Sequence, residues 1–202
     1  MKYAAWCLLL AGCAPVPPRA ETEWFPLAAG TEWLYRDQER AEQKATVVDS
    51  LTAGGATWTR IDELASAWYA MTPGGLYCSL QEPSREAPRP FLLLRFPIRA
   101  GDTWHEEWKA DFAGPGAKIT ADYEVLGEED VVVPAGAFHA LRVRQKLVSP
   151  PGEGAVFGLE ATVDRWFAKG VGVVRRVTTR TIISGAERET EEQTLDLVRT
   201  SP

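Results

Sequence analysis

Three cysteines and two histidines are all that 202 residues contain, and no apolar run approaches the roughly 20 residues that a membrane-spanning helix needs. The scarcity of histidine limits acid–base and metal chemistry. His105-Glu-Glu-Trp108 lacks the second histidine of a helical zinc site, and His139 falls in a predicted strand beside Phe138. A pairing of either with Cys78 is the one conceivable nucleophilic arrangement. The formal net charge of -6 argues against a nucleic-acid partner, which would need a basic face, and against anionic lipid headgroups. The carboxylates at Glu128–Asp130 and at Glu187, Glu189, Glu191 and Glu192 lack the spacing of a calcium loop; the second run reads as a charged edge strand or a solvated face. Gly170-Val-Gly172 lacks the helix that must follow a phosphate loop, so it reads as a hairpin turn. No cofactor and no metal is implied.

What is present starts with an address. Met1-Lys2 carries a positive charge, Tyr3–Leu10 is apolar, and the small pair Ala11-Gly12 precedes Cys13, the pattern of a signal peptide over residues 1–12. Leu10-Ala-Gly-Cys13 resembles the bacterial lipobox, which implies cleavage before Cys13 and diacylglycerol on its thiol. Residues 13–23 then form a proline-rich tether, extended and semi-rigid, so the membrane is a partner through the lipid anchor. Ala14 follows in place of Asp, which by resemblance to the sorting rule of enteric bacteria favours the outer membrane, facing the periplasm. Cys7 leaves with the signal peptide and Cys13 is taken by lipid. Cys78 stands alone in the strand-like Leu76–Leu80, which predicts a buried thiol and excludes an intramolecular disulfide.

The remaining residues, 24–199, read as strands. In Lys118–Leu126, Ile119, Ala121, Tyr123 and Val125 alternate with Lys118, Thr120, Asp122 and Glu124. Leu141–Leu147 repeats that pattern. No segment of ten or more residues has helical periodicity, although Asp37–Lys44 is polar enough for a helical turn or a long hairpin loop. Phe25-Pro-Leu-Ala-Ala-Gly-Thr-Glu-Trp33 matches Phe96-Pro-Ile-Arg-Ala-Gly-Asp-Thr-Trp104 at five identical positions, and weaker matches follow in order. Two related units are inferred, about 25–95 and 96–199, the second enlarged near Asp111–Gly116 and Val148–Ala161. Short turns require antiparallel neighbours. The fold class expected is all-β: an antiparallel meander of about ten strands forming a curved open barrel or a sandwich.

Eight tryptophans stand in the chain, and Trp33, Trp104 and Trp166 recur at matching places, which points first to core packing. Val132-Val-Pro-Ala-Gly-Ala-Phe138 and Arg165-Trp-Phe-Ala-Lys-Gly-Val-Gly-Val-Val174 resemble a broad group of uncharacterised exported bacterial lipoproteins with a VPAGxF turn and a W(F/Y)AxGVG strand pair. The resemblance implies turns and core aromatics, and no catalytic residue follows from it. A weaker, fold-level likeness is to the curved half-barrels of lipoprotein carriers, whose covering helices this sequence hardly offers. The expectation is a lipid-anchored, non-enzymatic envelope protein that binds a protein or envelope component through its β surface. The alternative is a carrier of a lipid or other apolar ligand in the concavity of the sheet. In that case Trp33, Trp104 and Tyr123 would line the binding site.

Overall fold

The computed structural model describes residues 23–63, 67–84, 89–110, 117–152 and 157–201, so the segment read as a signal peptide, Cys13, most of the segment read as a tether and Asp111–Gly116 lie outside the described residues. Twelve strands follow one another: β1 (Glu32–Arg36), β2 (Glu42–Ala53), β3 (Ala56–Asp62), β4 (Ala67–Thr72), β5 (Gly75–Ser79), β6 (Phe91–Arg95), β7 (Thr103–Ala110), β8 (Ala117–Val133), β9 (Gly136–Ser149), β10 (Gly158–Ala168), β11 (Gly172–Ser184) and β12 (Glu187–Ser201). No helix occurs among the described residues. Asp37–Lys44 resolves as a tight hairpin: the turn is closed by the Ala41 amide on Asp37 Oδ1 (2.8 Å) and leads into β2.

All twelve strands join one antiparallel sheet in the order β6-β5-β4-β3-β2-β1-β12-β11-β10-β9-β8-β7. The end strands β6 and β7 meet, which makes a nearly closed barrel with one seam, not a sandwich. Across the seam Phe91 stacks on Trp108 at 4.5 Å, and the Trp104 indole donates to the Leu92 carbonyl at 3.0 Å. The all-β meander holds, with twelve strands in place of about ten. One that sequence reading underweights is β6, whose Phe91, Leu92, Leu93 and Leu94 are all buried and so do not alternate. A strand at a seam is covered on both faces.

Elsewhere the pleat is read directly from sequence. Ala117, Ile119, Ala121, Tyr123 and Val125 of β8 face the interior and are nearly inaccessible, while Lys118, Asp122 and Glu124 face water. This arrangement is the inverse of a membrane-spanning barrel, whose outer band is apolar. The acidic run of β12 is solvated, and although β12 lies inside the sheet, Glu187–Leu195 pairs only with β11 because β1 begins its ladder at Asp196. That run is an edge along part of its length.

Residues 23–27 enter the barrel ahead of β1. The Gly170 amide donates to the Glu23 carbonyl at 2.7 Å, and the Lys169 ammonium sits 4.7 Å over the Trp24 ring. Phe25 then packs among Trp33, Tyr69 and Phe167. Gly170 and Gly172 take the positive φ that this turn requires, and a side chain on Gly172 would press on Pro26 and Trp33. At the same end of the sheet the β8–β9 turn reaches β12, with the Ala135 amide donating to the Leu197 carbonyl at 2.9 Å.

Candidate functional site

Part of the interior is filled. Trp104 and Tyr123 stack face to face at 4.8 Å, and the Tyr123 hydroxyl accepts a hydrogen bond from Gln145 Nε2 at 2.8 Å. Beside that packed region lies a partly open cavity of about 300 Å3. Phe25, Trp33, Phe91 and Leu93 contribute apolar walls; Tyr35, Tyr69, Cys78, Glu63, Arg165 and Arg176 contribute polar groups. The volume is at the lower end of the range for small-molecule sites, and the mixture of aromatic walls with a few polar groups is typical of them.

Strand register aims the two arginines inward. On β10, Val163, Arg165 and Phe167 pair with Gln145, Val143 and Leu141 of β9, all buried, so this set faces the interior. Asp164 and Trp166 face outward. There Asp164 accepts hydrogen bonds from Arg142 (2.5 Å) and Arg144 (2.8 Å), and the Arg142 guanidinium lies 4.7 Å over the Trp166 ring. Burial alone would raise the Asp164 carboxyl, but the hydrogen bonds from Arg144 and Arg142 hold it below its ordinary range. On β11 a bulge shifts the parity: Arg175 pairs with Trp166 and Val173 with Phe167, leaving Val174 as the extra residue. Arg176 therefore faces inward, directly opposite Arg165.

Inside, Arg165 Nη1 donates to Gln145 Oε1 at 2.9 Å, Arg176 Nη1 lies 4.0 Å from Glu63 Oε2, and the Tyr69 hydroxyl donates to Glu63 Oε1 at 3.4 Å. The Tyr35 hydroxyl donates to the Val173 carbonyl at 2.8 Å. Burial raises the Tyr35 and Tyr69 phenols well above their ordinary range, so both stay neutral. Burial also pushes the Cys78 thiol up to about 12, against the pull of nearby Arg165. At neutral pH that thiol is protonated and a poor nucleophile.

Neither histidine approaches Cys78. Both are exposed on the outer face, where His105 Nδ1 bonds Asp122 Oδ1 at 2.8 Å and His139 Nδ1 bonds Asp130 Oδ1 at 2.8 Å. Among the described residues no three His, Cys, Asp or Glu gather as metal ligands. Of the residues expected to line a ligand site, Trp33 borders the cavity, whereas Trp104 and Tyr123 belong to the packed stack beside it. Cys13 lies outside the described residues. Sequence reading passed over Arg165 and Arg176. A signal existed for the first: Arg165 shares the two-residue period of Val163 and Phe167, a cation on an apolar face.

The fold and site define a nearly closed, twelve-stranded single-sheet barrel with a partly hollow interior. Solved structures share this fold. A candidate lipoprotein from Parabacteroides distasonis superposes with a TM-score of 0.53 at 13% sequence identity, covering 88% of this chain and 98% of that one. A candidate exported protein with YmcC-like fold from Bacteroides fragilis superposes with a TM-score of 0.50 at 14% identity, with the same coverage of 88% and 98%. No family profile and no curated protein matches the chain in sequence.

Proposed function

We propose that the protein is a lipid-anchored component of the bacterial envelope that holds a small apolar or amphiphilic ligand inside its barrel. The observation that carries this reading is the cavity of about 300 Å3 walled by Phe25, Trp33, Phe91 and Leu93. A core built only for stability packs to the density of an organic crystal, and space of this size is costly unless something occupies it. The anchor rests on Cys13 and the residues around it. The likeness in fold to a candidate lipoprotein agrees with it. The proposed activity is binding, since the protonated Cys78 thiol and the outward-facing histidines make no catalytic set. Capture of another envelope protein by the outer surface has less support. Its exposed large apolar side chains, Val48, Leu80, Leu126, Val132 and Val148, are spread over the barrel, as on ordinary surfaces.

Two measurements test the two halves of the proposal. Replacing Cys13→Ser should move the protein from the membrane fraction to the soluble fraction of lysed cells; unchanged membrane association would refute the anchor. The chain from residue 14 onward, which holds every described strand, should retain a small molecule in native mass spectrometry after expression in bacteria. A single mass equal to the bare chain, together with no binding of apolar dyes, would refute the ligand.

A further inference from the structure

Five of the six arginines of β9, β10 and β11 fall into two sets that the fold treats differently; the sixth, Arg180, lies farther along β11, exposed and paired with Glu191. Outward-facing Arg142 and Arg144 share the Asp164 carboxylate, and outward-facing Arg175 is held by Asp196 at 2.6 Å. Inward-facing Arg165 and Arg176 are directly opposed on neighbouring strands, a like-charge juxtaposition that costs stability. Among the described residues the one ion pair to either is Glu63, at 4.0 Å from Arg176. Arg165 has a neutral amide oxygen, that of Gln145, as its hydrogen-bonding partner. Two inward-facing cations thus share one carboxylate in a cavity that Gln43 and Lys44 also line, the latter already paired with Glu32, among aromatic and aliphatic walls. A cation partly withdrawn from water, as Arg165 is and as Arg176 is with 31% of its side chain exposed, is ordinarily paired.

We infer that Arg165 and Arg176 form the anion-binding end of the cavity, and that its ligand is a single-chain amphiphile whose head is a carboxylate or phosphate. The inference rests on the ligand-binding reading above and deepens it. Guanidinium groups present planar forks that match both kinds of head in a bidentate manner, and a ligand anion between them would turn their repulsion into a shared attraction. The apolar walls of Phe25, Trp33, Phe91 and Leu93 suit the tail. At ~30 Å3 per water the cavity has room for roughly ten waters, so a ligand of about ten heavy atoms fits.

Isothermal titration of the chain from residue 14 onward with octanoate, octyl phosphate and 1-octanol tests this. Both anions should bind at least tenfold more tightly than octanol, and the tighter of the two identifies the head. Arg165→Met should weaken both anions tenfold or more while octanol binding holds, and Arg165→Lys should fall between. Arg176→Met should act in the same direction, which keeps the test decisive if Arg165→Met does not fold. Equal binding of octanol and the two anions, insensitive to both arginine variants, would overturn the inference and leave the apolar cavity reading standing. Failure of all three probes to bind the unsubstituted chain would sink that reading and this inference with it.

Discussion

Gly75→Ala is expected to cost about 3–5 kcal/mol and to lower the thermal midpoint by roughly 10 °C. Gly75 opens β5 with φ +150°, a conformation that side chains rarely adopt, and it pairs with Arg95 at the end of β6. A Cβ at this position would stand 2.1 Å from the Leu94 carbonyl oxygen and 2.5 Å from Leu92 Cδ1. The leucine methyl can rotate away; the backbone oxygen cannot, so β6 must move from β5. On its other side, among the described residues, β6 is held by side chains: the Trp104 bond to Leu92 and the Phe91–Trp108 stack. Displacing β6 therefore strains the seam and the cavity wall that Phe91 and Leu93 supply. Gly185→Ala is the proper control. It has φ +62° but open space around it, so its cost should be about 1 kcal/mol of backbone strain. Equilibrium denaturation in guanidinium decides the matter: equal losses for the two variants would mean that the close approach of β6 to Gly75 is not real.

How far the sequence foretold this molecule depends on how each strand is covered. Where one face meets the interior and the other meets water, as in β8, the alternation was visible and the structure follows it residue by residue. The buried thiol of Cys78 and the turn at Gly170–Gly172 were equally plain. Legibility ends where burial and polarity part company. Phe91–Leu94 does not alternate because both faces are covered at the seam, a consequence of closure that no local window contains. Val173 lines the cavity and Val174 is fully buried, so local alternation alone could turn either Arg175 or Arg176 inward, and the bulge that decides it depends on the partner strand. In β10 the more apolar Trp166 faces outward under Arg142 while Arg165 faces inward, because Phe167 and Val163 set the register. Trp33 and Trp104 sit in matching sequence contexts, yet their surroundings differ: β1 has a strand on each side, and β7 ends the sheet. Equivalent residues inherit different roles from where the sheet begins and stops.

That difference makes Trp33→Ala the second large expected effect, a loss of about 3–5 kcal/mol. The Trp33 side chain is almost wholly buried, its indole N–H donates to the Val171 carbonyl at 2.6 Å, and its ring stacks on Phe25 at 6.0 Å. Removing it deletes a large apolar side chain and leaves the Val171 carbonyl without that donor. It also loosens the turn that Glu23 and Gly170 fasten, because Phe25 loses the surface on which it rests. The two contributions separate in a series. Trp33→Phe keeps most of the packing and forfeits the hydrogen bond, for an expected cost of about 1–3 kcal/mol. Trp33→Ala forfeits both, and it joins new empty space to the cavity that Trp33 borders. Guanidinium denaturation should therefore rank the native chain above Trp33→Phe and that above Trp33→Ala, with the unfolding slope little changed. A Trp33→Ala chain within about 0.5 kcal/mol of the native one would show that the ring is not a packed wall of the barrel, and the ligand site drawn around it would fall.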